Sequence, residues 1–101
     1  MNKIISFDLV TETLSKDTTG QSTKKKTYQP AIGKQYSVYQ KEFYQASQNG
    51  LRPEGTIEMS VFDYSGQKAV RIDNCEFAIY RTYAKGTDKI ELFYGERVGN
   101  G

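Results

Sequence analysis

The chain has 101 residues, one Cys, no His, eight Tyr and a formal net charge of +2. A His-based catalytic triad, a His metal site, an internal disulfide and a multi-Cys metal site are excluded by those counts. A charge balance this small does not by itself announce nucleic-acid binding, and no apolar run approaches the roughly 20 residues of a membrane-spanning helix.

Apolar residues are 37% of the chain, a low share that predicts one small core in a single domain over 1–101. The first residues, Met1 to Ser6, carry no long apolar region or secretory cleavage pattern, so a soluble intracellular protein is the expectation. Residues 3–14 read as a strand, because Ile5, Phe7 and Leu9 alternate with Ser6 and Asp8. The stretch Ser15 to Thr27 has no apolar side chain. It cannot bury enough surface to order itself, and a long mobile loop at 15–27 is expected. Strand character resumes at Tyr28 and runs to about Tyr39, interrupted at Pro30 and Gly33.

A short helix is predicted at 40–48. Phe43 and Ala46 share a face, Glu42 sits near the positive N-terminal end, and Gly50 followed by Pro53 marks the stop. Four strands follow. Thr56 to Phe62 puts Ile57, Met59 and Val61 on one face, and Asp63-Tyr64-Ser65-Gly66 turns the chain. Lys68 to Ile72 and Cys75 to Tyr83 are joined by Asp73-Asn74, a two-residue hairpin signal. After a turn at 85–88, Lys89 to Tyr94 sends Ile90 and Leu92 inward, and 95–101 reads as a flexible tail. The fold class expected is mainly β: a small antiparallel barrel or sandwich of six to seven strands with one helix.

Five constellations could carry function. Lys24-Lys25-Lys26, with Lys16 nearby, could neutralise phosphates without reading sequence; the plainer reading is a solvated loop. The eight tyrosines could stack bases, or form core and protein interface. Glu42, Glu54, Glu58, Asp63, Asp88 and Glu91 could offer an acid–base pair, but nothing in the sequence brings two together. Arg81 alternates with Phe77 and Ile79. That periodicity points it at the core face, where Asp88 or Glu91 could pair it. Cys75 reads as a small buried hydrophobe. No cofactor, metal or catalytic residue emerges, and an enzyme is not expected.

Glu42-Phe43-Tyr44-Gln45-Ala46, Asn49-Gly50-Leu51-Arg52-Pro53-Glu54 and Asp63-Tyr64-Ser65-Gly66, in that order, resemble segments of the head-closure (head–tail joining, or stopper) proteins of long-tailed phages. Tyr80-Arg81-Thr82-Tyr83 followed by Asp88 and Ile90-Glu91-Leu92 is similar to that family's closing strand pair. The resemblance covers residues 37–94. It implies a structural connector of the virion neck, a small β-barrel assembled as a ring, with a dodecamer expected. The ring would join the portal-associated adaptor to a tail-side connector and close the double-stranded DNA channel after packaging. By position, Ser15 to Gly33 would be the channel loop, with Lys16, Lys24, Lys25 and Lys26 as its DNA contacts, and 95–101 a docking tail. The rival reading is a monomeric β-barrel that binds single-stranded nucleic acid, which predicts salt-dependent binding to short oligonucleotides.

Overall fold

The computed structural model describes residues 3–16, 19–37 and 50–97, the last without its side chain. The helix expected at 40–48 and residues 98–101 of the expected tail lie outside them. Six strands form one sheet: β1 (Lys3–Lys16), β2 (Ser22–Tyr36), β3 (Leu51–Ser60), β4 (Ala69–Ile72), β5 (Cys75–Lys85) and β6 (Lys89–Arg97). Every ladder is antiparallel. The order is β1-β2-β3-β6-β5-β4, and pairing of β1 with β4 closes the sheet into a barrel. The mainly β, antiparallel expectation holds. Helix among the described residues is a single 3-10 turn, Val61–Asp63, where the strand expected to run to Phe62 stops; the Phe62 N–H donates to Ser60 Oγ at 3.3 Å.

Alternation builds the core. Phe7 and Leu9 of β1, Ile57 and Met59 of β3, Val70 of β4, and Leu92 and Tyr94 of β6 are buried together. Phe77, Ile79 and Ile90 pack against them half-buried. Burying a side chain such as Leu92 or Ile57 contributes about 1.5–3 kcal/mol, and Val10 and Phe93 are buried as well, outside this cluster. Close packing reaches the backbone at Gly55, beside a bulge at Pro53/Gly55. A Cβ there would lie 2.8 Å from the Tyr94 hydroxyl, which sits at 2.6 Å from the donating Gln35 amide. The bulge also accommodates Pro53 within β3, where a regular ladder position would waste its missing N–H.

Four expectations are corrected. Of the stretch 15–27, Ser15 and Lys16 belong to β1 and residues 22–27 to β2, in register from Val10↔Tyr28 to Lys16↔Ser22. A ladder satisfies backbone N–H and C=O groups without burying any side chain, and Thr11, Thr13, Thr23 and Thr27 favour extended backbone. Residues 95–97 of the expected tail belong to β6. Cys75 is exposed, because it leaves the Asp73-Asn74 turn before β5 reaches the core. Arg81 faces outward. A register shift between Ile79 and Arg81 leaves Tyr80 as an extra residue, and one inserted residue moves every later side chain to the other face. The Asp73-Asn74 turn itself forms as read, both residues having positive φ (50° and 67°).

Candidate nucleic-acid interface

The lysines expected to meet DNA lie on an arm. β1 loses β4 beyond Val10, and β2 gains β3 only at Lys34, so residues 11–16 and 22–27 pair only with each other. The reason is in the alternation. Phe7 and Leu9 have core to bury; Thr11, Thr13 and Ser15, next on the same face, have hydroxyls and none. The ribbon leaves the barrel where its apolar side chains end. It helps draw the molecule out to 50 × 33 × 25 Å, with a radius of gyration of 14.9 Å against about 13 Å for a compact chain of this length.

Register divides the lysine run between two faces. Lys24 and Lys26 stand opposite Leu14 and Glu12; Lys25 stands opposite Thr13 on the reverse face. That reverse face is a hydroxyl ladder. Ser15 Oγ and Thr23 Oγ1 are 3.1 Å apart, and the Thr13 hydroxyl donates to the Lys25 carbonyl at 3.4 Å. The lysines differ in electrostatics too. Lys26 Nζ donates to both carboxylate oxygens of Glu76 at 3.0 and 3.1 Å, and this bond raises its pKa. Lys24 is 3.7 Å from Glu12 in an exposed pair. Lys16 and Lys25 have no carboxylate within 4.0 Å among the described residues. Among the four arm lysines, Lys24 and Lys26 therefore share their charge with carboxylates, and Lys16 and Lys25 do not do so with any described residue.

At the root of the arm, Arg71 Nε and Nη2 donate to Asp8 Oδ2 at 3.1 and 2.7 Å, and the guanidinium lies 3.9 Å from the centre of the Tyr28 ring. The bond to Asp8 raises the Arg71 pKa. Tyr28 is thus engaged from below.

The structure does bring two carboxylates together. Glu58 of β3 stands opposite Glu91 of β6. Glu91 is buried and accepts from Thr56 Oγ1 at 3.0 Å. Lys85 Nζ donates to Glu58 Oε2 at 3.0 Å and lies 4.0 Å from Glu91 Oε1, with its pKa raised chiefly by the bond to Glu58. The acidic positions are plain in the sequence, but the β3–β6 pairing spans 33 residues, and no local signal announces it. A carboxylate pair held by a lysine is a structural ion cluster. Among the described residues no group of three or more Asp, Glu or Cys side chains converges as metal ligands.

The remaining motif residues divide as follows. Glu42, Phe43 and Tyr44 lie outside the described residues. Gly50 and Gly66 have positive φ, 76° and 83°. Leu51 is half-buried and Pro53 buried. Asp63 is exposed, and the Tyr64 hydroxyl donates to the Gln67 carbonyl at 2.8 Å. Tyr80 meets the Phe93 ring edge-on, and the Arg81 guanidinium stacks 3.9 Å from its centroid. Tyr83 is exposed opposite Glu91, and the Asp88 carbonyl accepts from the Val61 N–H at 2.9 Å. These residues hold turns and strand contacts in place; they do not converge on one point. No helix of the described residues is long and apolar enough to cross a membrane. Compared with protein-family models, curated proteins and solved structures, the chain has no match.

Proposed function

We propose that this chain is a structural connector of the phage neck, which joins the portal and its adaptor to the tail and closes the DNA channel. The observation that carries the reading is the polar two-stranded arm on a small closed sheet. Such an arm offers reach without a core of its own. In a ring, one weak contact per arm is multiplied by the number of copies. DNA in a channel must slide, which suits phosphate contacts by exposed Lys16 and Lys25 better than base readout. The order of the sequence motifs supports the same reading. The turns they mark are built by backbone geometry and local hydrogen bonds, as befits a scaffold.

The test is electron microscopy of lysates from a phage in which this gene is disrupted. Separate tails and tailless capsids emptied of DNA are the expected result. Intact tailed particles would overturn the connector role.

A further inference from the structure

The outer edge of β1 along the arm has a chemistry of its own. β4 follows that edge only from Asp8 to Val10. Past this point a groove of about 390 Å³ opens, with Val10, Thr11 and Glu12 on one side and Gly66 to Ala69 on the other. Thr11 to Lys16 are all exposed, and Leu14, the one apolar side chain of β1 beyond Val10, is 70% exposed. A strand edge presents N–H and C=O groups on which another chain can pair. The two strands of the arm guard their edges differently. β2 carries Lys24, Lys25 and Lys26, and lysines blunt an edge. β1 carries Glu12, Leu14 and Lys16 on one face, with Thr13 and Ser15 on the other.

That alternation is its own complement. When two copies of one edge pair antiparallel about a two-fold axis, side chains of the same face stand opposite, so the ladder centres on a residue that meets its own copy. The possible centres are not equivalent. Centring on Glu12 or Lys16 sets like charges directly opposite, which is destabilising. Centring on Thr13 or Ser15 sets Leu14 against a charged side chain. Centring on Leu14 sets leucine against leucine, Glu12 against Lys16 and Thr13 against Ser15. Apolar, opposite-charge and hydroxyl pairs are the cross-strand pairs that stabilise a sheet. Glu12 can take the new partner, because its contact with Lys24 is exposed, 3.7 Å long and contributes little.

We propose that this edge of β1 is a self-association surface. A second copy of the chain pairs with it antiparallel over residues 12–16, centred on Leu14, and the two arms become one four-stranded sheet. A ladder this short buries less than the roughly 1,000 Å² of a stable interface, so the pair of isolated chains is weak and reversible. The inference rests on strand register and charge order, independently of the connector reading, and is tested on the isolated protein.

The experiment is NMR of the isolated full chain from about 20 µM to about 1 mM, under reducing conditions that keep the exposed Cys75 from cross-linking. Amide shifts that grow with concentration and centre on Thr13, Leu14 and Ser15 are expected, with diffusion slowing towards that of a dimer. Glu12→Lys and Lys16→Glu each create two like-charge pairs by symmetry, and each is expected to weaken pairing by about tenfold or more. Mixed in equal amounts, the two variants set lysines against glutamates, and association is expected to return to within about threefold of the parent. Both positions are exposed, and the same spectra show that each variant is folded. A monomer across the whole range, association that shifts other amides instead, pairing that survives both single variants, or a mixture that stays monomeric overturns the proposal.

Discussion

Thr56 and Glu91 show how much one buried polar contact weighs in a small barrel. Thr56 is 1% exposed and Glu91 5% exposed, on the side of the sheet away from the core cluster, and the threonine hydroxyl is a short-range donor to the carboxylate. Thr56→Val keeps the shape and removes that donor. The variant is expected to lose about 1–3 kcal/mol of unfolding free energy, read as a lower urea midpoint with an unchanged slope. Lys85 is the second half of the same cluster. It stands between Glu58 and Glu91, which face each other across β3 and β6. Lys85→Met leaves two carboxylates opposed, and like charges directly opposite are destabilising. The loss should be largest at low ionic strength and shrink in concentrated salt, which screens like charges. A loss of equal size at low and high salt would show that Lys85 acts through its aliphatic stem and not through its charge.

At the scale of the element, the arm is the feature that chemistry and sequence reading treat most differently. Strands β3 to β6 were legible because Ile57, Met59, Ile90 and Leu92 alternate with polar residues and because Asp73-Asn74 names its own turn. The ribbon beyond Leu14 was not legible, since the apolar-free stretch 15–27 gives no periodicity and its order comes from backbone pairing. The outward turn of Arg81 was hidden for another reason. A single bulged residue inverts the face, and no residue type marks where it falls. The lysines of the candidate interface were legible as a run, whereas their partition between two faces needed the register with Glu12, Thr13 and Leu14. All core residues lie outside 11–27, and the pairs lost with the arm are exposed surface pairs of small worth. Excising Glu12 to Lys26 and joining Thr11 to Thr27 through Asn-Gly should therefore leave a folded barrel, because these two residues are already cross-strand partners. The melting temperature is expected to stay within about 5 °C of the parent. Loss of cooperative unfolding in calorimetry would show instead that the ribbon is part of the folding unit. If the proposed connector role holds, the same excision abolishes DNA retention in particles while the ring still assembles.

For the whole molecule, the pKa displacements of Lys26, Tyr64, Arg71, Lys85 and Tyr94 run in one direction. Hydrogen bonds to Glu76 and Glu58 raise Lys26 and Lys85 from 10.5. Burial raises Tyr64 and Tyr94 from 10.0, and for Tyr94 the hydrogen bond from Gln35 opposes part of the effect. Arg71, raised by Asp8, stays charged throughout any usable range. A raised value means that the native state holds its proton more tightly than the unfolded chain. Lysine keeps a charge that its partner favours, and tyrosine keeps a neutral hydroxyl that burial favours. The stabilisation is fully present below pH 10.0 for the tyrosines and 10.5 for the lysines, and is lost as pH climbs through the native values, because stability falls with pH wherever the native state binds more protons. Thermal unfolding should thus be insensitive to these groups from pH 7 to 9.5 and shift to lower temperature above pH 10. The lysine share is exposed and screened by salt, so the part that survives high ionic strength belongs to the two tyrosines. Absorbance titration should show the Tyr64 and Tyr94 phenolates forming only above pH 10.0. Tyr94→Phe should flatten the alkaline fall at high salt even though it gives up the Gln35 bond. An alkaline fall unchanged in that variant would assign the effect to Tyr64 on the loop and not to the barrel core.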